Sequence, residues 1–195
     1  MAKVKSKRKW MKFFRQSYAV SRPSIGNQPK LDVIDQRELY AFHYGVPLNE
    51  LRMIASWSMT ECAGHERVLA KVIPSLWKRK GREDCLMAGF FLANLPPATL
   101  GEHPWMAFVH LLQKTEPIEM VLEIAGELVR AGHDVPSKDW FDAMAQQSEL
   151  WHQYAVLMLS KDKSRAQECS VLITAAPKGG ELFERIRTSL ITPKN

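Results

Sequence analysis

Apolar side chains recur along most of the chain at the three- and four-residue spacing of one helix face. From Leu31 onward this spacing predicts a succession of helices. No Asn-Gly or Asp-Gly hairpin signal lies between alternating apolar segments. The sequence therefore predicts an all-α protein, with helices over residues 35–43, 47–59, 68–76, 83–95, 104–113, 116–131, 137–147, 149–159, 165–176 and 180–190.

Two of these segments have features beyond the spacing. Residues 83–95 are apolar on nearly every side, so we expect them to form the most buried helix. Pro74 lies near the end of the apolar stripe at 68–76, and a proline inside a helix kinks or ends it. We therefore expect a break close to Pro74.

The N-terminal segment has its own amphipathic pattern. Trp10, Phe13, Phe14 and Tyr18 share one helix face and predict a short helix from about residue 8 to 19. Residues 21–30 contain two prolines and a glycine, which predict a linker. The chain is thus divided into a basic amphipathic arm with its linker (1–30) and an all-α helical domain (31–195).

The predicted helices contain a weak repeat. Similar apolar octets begin at His65, Cys85, Trp105 and Leu122, with spacings of 20, 20 and 17 residues. The octet at Trp151 repeats that at Trp105 after 46 residues. Helix pairs repeating every 40–47 residues or so are typical of HEAT and armadillo solenoids. The sequence favours a HEAT-like helical-hairpin solenoid, with an irregular helical bundle as the alternative.

Two segments resemble a known family. Residues 44–52 (YGVPLNELR) resemble the entry segment of the DNA alkylation-repair proteins built from HEAT-like repeats, and residues 149–156 (ELWHQYAV) resemble a later helix of that family. The resemblance implies an α-solenoid that holds duplex DNA in a basic concave face, and some members excise alkylated purines. His152, Gln153 and Tyr154 stand where basic residues are usual, and no segment matches the Trp-and-Asp pocket. No catalytic residue is therefore carried over.

Charge separates the arm from the rest of the chain. The protein has 27 basic and 21 acidic side chains, for a formal net charge of +6. The first 30 residues hold nine basic side chains and no Asp or Glu, which leaves 18 basic and 21 acidic side chains for residues 31–195. A strongly basic arm on a slightly acidic body indicates a polyanionic partner.

A second basic cluster, Lys78-Arg79-Lys80-Gly81-Arg82, follows Trp77 and is predicted to form a turn between helices. Trp10 and Trp77 each adjoin a basic cluster, which makes them the candidates for stacking on a base or sugar. The predicted nucleic-acid-binding residues are Lys3, Lys5, Lys7, Arg8, Lys9, Trp10, Lys12, Arg15, Trp77, Lys78, Arg79, Lys80 and Arg82.

Other interpretations of the two basic clusters stay open. A basic amphipathic helix is also found on anionic membrane surfaces and in mitochondrial presequences, and residues 5–9 resemble a nuclear-import patch. Alternatively, the aromatic face of the arm packs on the body and its lysines are only solvated. The second cluster, likewise, has a simple alternative as a solvated turn at a helix C-terminus.

The remaining motifs do not indicate a catalytic site or a metal site. Cys62, His65 and Cys85 supply three potential zinc ligands where a structural site needs four. Glu61, His65 and Glu66 are placed for acid–base work on one helix, but such residues more often cap helices or pair at the surface. The sequence has no phosphate-binding loop, nucleophile elbow or HExxH motif. We therefore predict no catalytic residue, no metal and no cofactor.

Compartment and membrane association are also inferred from the sequence. Three irregularly spaced cysteines favour a reducing compartment. The longest apolar run, residues 85–95, is too short to span a bilayer, which needs roughly 20 residues. The basic start is not followed by the apolar region of a secretory signal. We expect a cytoplasmic protein (nucleoid-associated in a bacterium, nuclear or mitochondrial in a eukaryote) and no membrane association.

These observations favour a non-enzymatic, nucleic-acid-associated helical protein that binds the phosphate backbone of DNA or RNA through its arm and its basic turn. The first alternative is a helical-repeat adaptor subunit of a protein or ribonucleoprotein assembly, with a protein partner. The second is an alkylpurine DNA glycosylase-like repair enzyme, as the resemblance implies.

Overall fold

The computed structural model describes residues 6–21, 40–113 and 116–192. Within these ranges the regular secondary structure is α-helical, and the sole pairing of β type is an isolated bridge between Phe42 and Gly81. The predicted all-α class is confirmed. Across the described residues, no helix combines the length and the apolar character needed to cross a membrane.

The chain divides into two compact units, one on each side of the peptide bond between Thr115 and Glu116. The first unit contains α1 (Lys7–Val20), α2 (Leu48–Glu61), α3 (Arg67–Ala70), α4 (Ile73–Lys78), α5 (Arg82–Asn94), α6 (Pro97–Leu100) and α7 (Pro104–Leu111). The second contains α8 (Ile118–Arg130), α9 (Lys138–Ala145), α10 (Glu149–Leu159), α11 (Lys163–Glu168), α12 (Ser170–Ala175) and α13 (Glu181–Ile191). Helix α1 belongs to the first unit, and the division of the chain at residue 30 stays a prediction.

Helix α5 is the centre of the first unit. Every residue from Glu83 to Ala93 is buried, as predicted for a helix that is apolar nearly all round. Helices α2, α3, α4 and α7 pack around it. The two acids at its start, Glu83 and Asp84, are buried with it and therefore need partners inside the unit.

Helix α10 has the same role in the second unit. Its residues Tyr154 to Leu159 are buried, and α8, α9, α11 and α13 pack against it. Side chains cap three of the helices here: Ser137, Ser148 and Asp162 each accept a hydrogen bond from a backbone N–H three residues later. The predicted bounds of α10, 149–159, agree with the structure.

Three predicted helices differ from the structure. Most of the segment 35–43 lies outside the described residues, and its described end, from Tyr40 to His43, is not helical. The backbone there bonds to the basic turn instead: the N–H of Ala41 donates to the carbonyl of Lys80 and the N–H of Arg82 to that of Phe42.

The other two predicted helices that differ from the structure are each interrupted by a short break. The segment 68–76 is divided into α3 and α4 by Lys71 and Val72, so the expected break close to Pro74 is present, and Pro74 itself lies in the first turn of α4. The segment 165–176 is divided at Cys169 into α11 and α12. Cys169 departs from helical geometry within a stripe that stays apolar, so the periodicity alone did not reveal this second break. The prediction of a solenoid or a bundle stays a prediction.

Gly81 allows the close approach of the segment around Phe42 to the basic turn. A Cβ atom at Gly81 would lie 1.9 Å from the Phe42 ring, which is far inside van der Waals contact. Gly126 in α8 differs, because its Cβ would meet nothing closer than 3.8 Å, the end of the Lys161 side chain. Gly81 is thus required by packing, and Gly126 is not.

We predict that Gly81→Ala lowers the free energy of unfolding by about 1–3 kcal/mol, since the added methyl group must displace Phe42. Gly126→Ala, the control, should leave it unchanged or raise it by up to about 1 kcal/mol, because alanine favours the helix interior. Chemical denaturation followed by circular dichroism measures both. Equal stability of the Gly81→Ala variant and the wild type would contradict the close contact.

Candidate functional site

Helix α1 is part of the core of the first unit. Trp10, Phe14 and Tyr18 follow one another at four-residue intervals and have no exposed surface. Phe14 lies 5.6 Å from the ring of Phe91 in α5, and Trp10 lies 6.1 Å from that of Trp57 in α2. The alternative in which the aromatic face of the arm packs on the body is the one that the structure shows.

A buried carboxyl group lies near Tyr18, in the C-terminal half of α1. Asp84, at the start of α5, is completely buried, and the Nε atom of Arg79 lies 3.0 Å from one of its carboxylate oxygens. Burial raises the pKa of Asp84 to about 6, although the positive charge of Arg79 and a contact with the Tyr18 hydroxyl both lower it. Burial, and then the charge of Asp84, hold the pKa of Tyr18 well above its usual value. Tyr18 and Arg79 thus meet at one buried carboxyl group.

Glu83 fixes the backbone that precedes α2. Its Oε1 atom accepts hydrogen bonds from the backbone N–H groups of Tyr44, Gly45 and Val46, at 3.1, 3.0 and 3.3 Å. Arg82 donates to the carbonyl of Val46 at 3.1 Å and pairs with the same Glu83 oxygen at 3.5 Å. Glu83 therefore has a structural role in holding the entry to α2.

The predicted cations have different environments. Arg79 and Arg82 are half-buried and paired with Asp84 and Glu83, so their charges are already balanced inside the first unit. Their expected role as free phosphate ligands is corrected accordingly. Lys3 and Lys5 lie outside the described residues. The remaining predicted cations are exposed: Lys7, Arg8, Lys9, Lys12, Arg15, Lys78 and Lys80.

Five of these exposed cations are on α1, and we call them the cationic face: Lys7, Arg8, Lys9, Lys12 and Arg15. Residues 6–21 contain no acidic side chain, and none of the five forms a salt bridge to another described residue. The buried aromatic line holds the helix in place. Four of the five cations lie away from this line, whereas Lys7, seven residues before Phe14, lies on its side at the N-terminal end of the helix. The charges of the cationic face are therefore presented to solvent from a helix that is fixed in the fold.

The two tryptophans that were predicted to stack on bases are not accessible. Trp10 is fully buried and Trp77 is 2% exposed. Trp77 packs edge-on against Phe108 in α7, with ring centroids 6.1 Å apart. The prediction was wrong for both side chains because each fills the core of the first unit, and adjacency to cations in the sequence does not place an indole at the surface.

An aromatic pair that the sequence analysis did not single out is accessible instead. Trp57 in α2 is 42% exposed, and Phe13 in α1 is half-buried beside it, with ring centroids 4.9 Å apart and planes inclined by 33°. The sequence contained a signal, because Trp57 falls on the side of α2 opposite the buried positions Leu51 and Ala55. A large aromatic side chain off the core stripe is a candidate for contact with a partner.

The side chains considered for catalysis or metal binding are dispersed. Glu61 ends α2, whereas His65 and Glu66 precede α3, so the three are not on one helix. Glu66 accepts a hydrogen bond from the N–H of Gly64, and such backbone bonds lower the pKa of its carboxyl group. No set of His, Cys, Asp and Glu side chains in the described parts of the chain is arranged to hold a metal ion.

The cysteines are buried and free, as predicted for Cys85. Burial raises the pKa of the Cys62 and Cys169 thiols, so both are largely protonated near neutral pH. A buried thiol that stays protonated is a poor nucleophile, because the thiolate is the reactive form.

The second unit has an open groove of about 340 Å³ between α9, α10 and α12. Three of its polar side chains already have partners. Lys138 pairs with Asp142 across one turn of α9, and the Nε2 atom of His152 lies 2.8 Å from the carbonyl oxygen of Leu172. The charged groups of the groove are therefore paired with each other, and the cationic face with the pair Phe13 and Trp57 is the better candidate site.

We predict that Asp84 makes the protein less stable as the pH rises from about 4 to 7. The pKa of Asp84 is raised in the folded state, from an ordinary 3.8 to about 6, so the folded protein binds the extra proton in this window. The contribution of this proton to the free energy of unfolding is fully present below the pKa that Asp84 has in the unfolded state. It is lost as the pH rises through the pKa of the folded state, and the loss is roughly 1–3 kcal/mol.

Asp84→Asn removes the titrating group but keeps a side chain of similar shape. Its unfolding free energy, measured by urea denaturation at several pH values, should lack this component between pH 4 and 7. Parallel pH profiles of the variant and the wild type would contradict the raised pKa.

Comparison with known proteins finds no match for this chain among protein-family models, curated proteins or solved structures. The resemblance to the HEAT-like DNA alkylation-repair proteins therefore stays a prediction. Of its two segments, residues 44–52 lead from the backbone held by Glu83 into α2, and residues 149–156 form most of α10.

Proposed function

We propose that this protein binds nucleic acid through the cationic face of α1, with Lys78 and Lys80 as a second contact, and that it acts as a binding protein rather than an enzyme. The observation that supports the proposal is five exposed cations, with no acid among them, on a helix whose aromatic face is buried in the core. A fixed row of unbalanced positive charge is a binding surface for a phosphate backbone.

The dimensions of the cationic face suit a single strand or one edge of a duplex. From Lys7 to Arg15 the helix rises by about 12 Å, at 1.5 Å per residue. One strand of a duplex presents a phosphate about every 3.4 Å along the axis. The face therefore spans roughly three to four phosphates of one strand, which is close to the number of its cations.

The basic turn is connected to α1 through Asp84. Arg79 directly follows α4 at the start of the turn and pairs with this carboxylate, which also contacts Tyr18 near the end of α1. Lys78 and Lys80 flank Arg79 in the sequence and are exposed. Arg79 thus supports the turn from inside, while its two neighbours direct their charges outward and extend the surface offered to a polyanion.

The burial of the aromatic line argues against the membrane alternative. An amphipathic helix binds a membrane by inserting its apolar face between the lipids. In α1 that face consists of Trp10, Phe14 and Tyr18, which are in the core. Membrane insertion or use as an import signal would require α1 to leave the fold, whereas phosphate binding uses the side that is already exposed.

We predict that neutralising four residues of the cationic face (Arg8→Gln, Lys9→Gln, Lys12→Gln and Arg15→Gln) weakens binding and its dependence on salt. Seven exposed cations give a slope of log Kd against log salt concentration of about 5 to 6, and the variant should retain about 2 to 3. Fluorescence anisotropy of a labelled oligonucleotide at several salt concentrations measures both values.

The control variant changes the same amount of charge elsewhere. Lys71→Gln, Lys163→Gln, Lys178→Gln and Arg185→Gln neutralise four exposed cations outside α1 and the basic turn. This control should keep a slope near that of the wild type. If both variants lose the same affinity, the effect is one of net charge and the cationic face has no special role. Absence of binding by the wild type at low salt would remove the proposal.

These substitutions test the surface more directly than truncation does. Deletion of residues 1–30 would remove three fully buried aromatic side chains, and the loss of one buried Phe or Trp typically costs about 3–5 kcal/mol. A truncated protein would therefore lose stability together with charge, and lost binding would have two explanations.

A further inference from the structure

We infer that Trp57, supported by Phe13, is a stacking platform for an unpaired base, so that the preferred ligand is single-stranded nucleic acid. The inference rests on the proposed function and specifies its ligand. Its starting point is the accessible aromatic pair formed by Phe13 of α1 and Trp57 of α2. The Trp57 side chain is 42% exposed, although tryptophan has the largest of the apolar side chains.

The indole of Trp57 is held from the side of α1. Phe13 lies 4.9 Å away with its ring tilted by 33°, and Trp10 lies 6.1 Å away at 64°. Trp10 is buried and therefore fixed, and Phe13 packs edge-on against it at 5.4 Å. An aromatic ring held in this way loses little conformational freedom when a ligand stacks on its exposed part.

The aromatic pair lies next to the cationic face. Lys9 precedes Phe13 by four residues, one turn of α1, and is therefore its neighbour on the same side of the helix. Lys12 directly precedes Phe13 and is also exposed. Phosphate ligands and a stacking surface thus occur within one helical turn, which is the combination used by proteins that bind single strands without sequence preference.

The acidic side chains nearby restrict the path of the strand. Glu50 and Glu61 are on the same side of α2 as Trp57, because they lie seven residues before and four residues after it. Their charges repel phosphates from α2 but leave a neutral base unaffected. We therefore expect the sugar–phosphate backbone to follow α1 while a base turns toward α2 and covers Trp57.

This arrangement distinguishes single strands from duplexes. An unpaired base has a free face for the indole, whereas a base inside a duplex is already stacked on its neighbours. A duplex would use the cationic face only. Met53 and Val20 are also exposed, at 56% and 86%, but a membrane or an apolar protein would leave the cations of α1 unbalanced, so charge complementarity favours a polyanion.

The test compares Trp57→Leu, Trp57→Phe and the control Trp140→Leu, which changes a half-buried tryptophan of the second unit. Affinity for a poly-dT oligonucleotide and for a duplex of equal length is measured by anisotropy. Trp57→Leu should weaken binding of the single strand by about 5- to 100-fold and leave duplex binding unchanged. Trp57→Phe should keep most of the affinity, and Trp140→Leu all of it.

Tryptophan fluorescence supplies a second readout. Binding of poly-dT should quench the wild type more than the Trp57→Phe variant, because a stacked base quenches the indole that it covers. If Trp57→Leu binds both ligands as the wild type does and keeps the salt dependence, the stacking inference is wrong and the cationic face stands. An equal loss for single strand and duplex also overturns it, and no binding of either ligand by the wild type removes the proposed function itself.

Discussion

The packing of α1 into the core of the first unit is the interaction on which the candidate site depends. A line of three fully buried aromatic side chains and one contact with a buried carboxyl group hold the helix there. The apolar burial supplies the free energy, and the pairing of Asp84 with Arg79 offsets part of the cost of burying that carboxyl group. The exposed side of α1 follows from this packing. Its charges face solvent because the aromatic face has no other orientation that keeps it buried.

Two carboxylates at the start of α5 organise different parts of the same unit. Asp84 joins the basic turn to α1, and Glu83 gathers three backbone N–H groups ahead of α2. Both arginines of the basic turn form ion pairs with these acids, Arg79 with Asp84 and Arg82 with Glu83. Cations that look equivalent in the sequence therefore divide into two groups: Arg79 and Arg82 are half-buried and paired with acids, whereas Lys78 and Lys80 are exposed.

The sequence predicted the helical class, the bounds of α10 and the burial of α5, because each depends on local periodicity. It did not predict that Tyr40 to His43 are non-helical, since that depends on backbone hydrogen bonds to residues about 40 positions away. Prediction of the candidate site from the sequence was limited in the same way. The cations of α1 were identified from composition, but whether Trp10 or Trp57 is exposed depends on which helix packs against α1. Only the position of Trp57 opposite Leu51 and Ala55 hinted at the outcome.

The central claim is that one helix serves two purposes, with its aromatic face in the core and its cationic face on a nucleic acid. Photo-cross-linking of the intact protein to a single-stranded oligonucleotide, followed by peptide mapping, tests it most directly. The account predicts cross-linked peptides from residues 7–15 and from the segment around Trp57, and none from the second unit. Cross-links confined to residues 116–195, or an absence of cross-links under conditions of saturating binding, would contradict it.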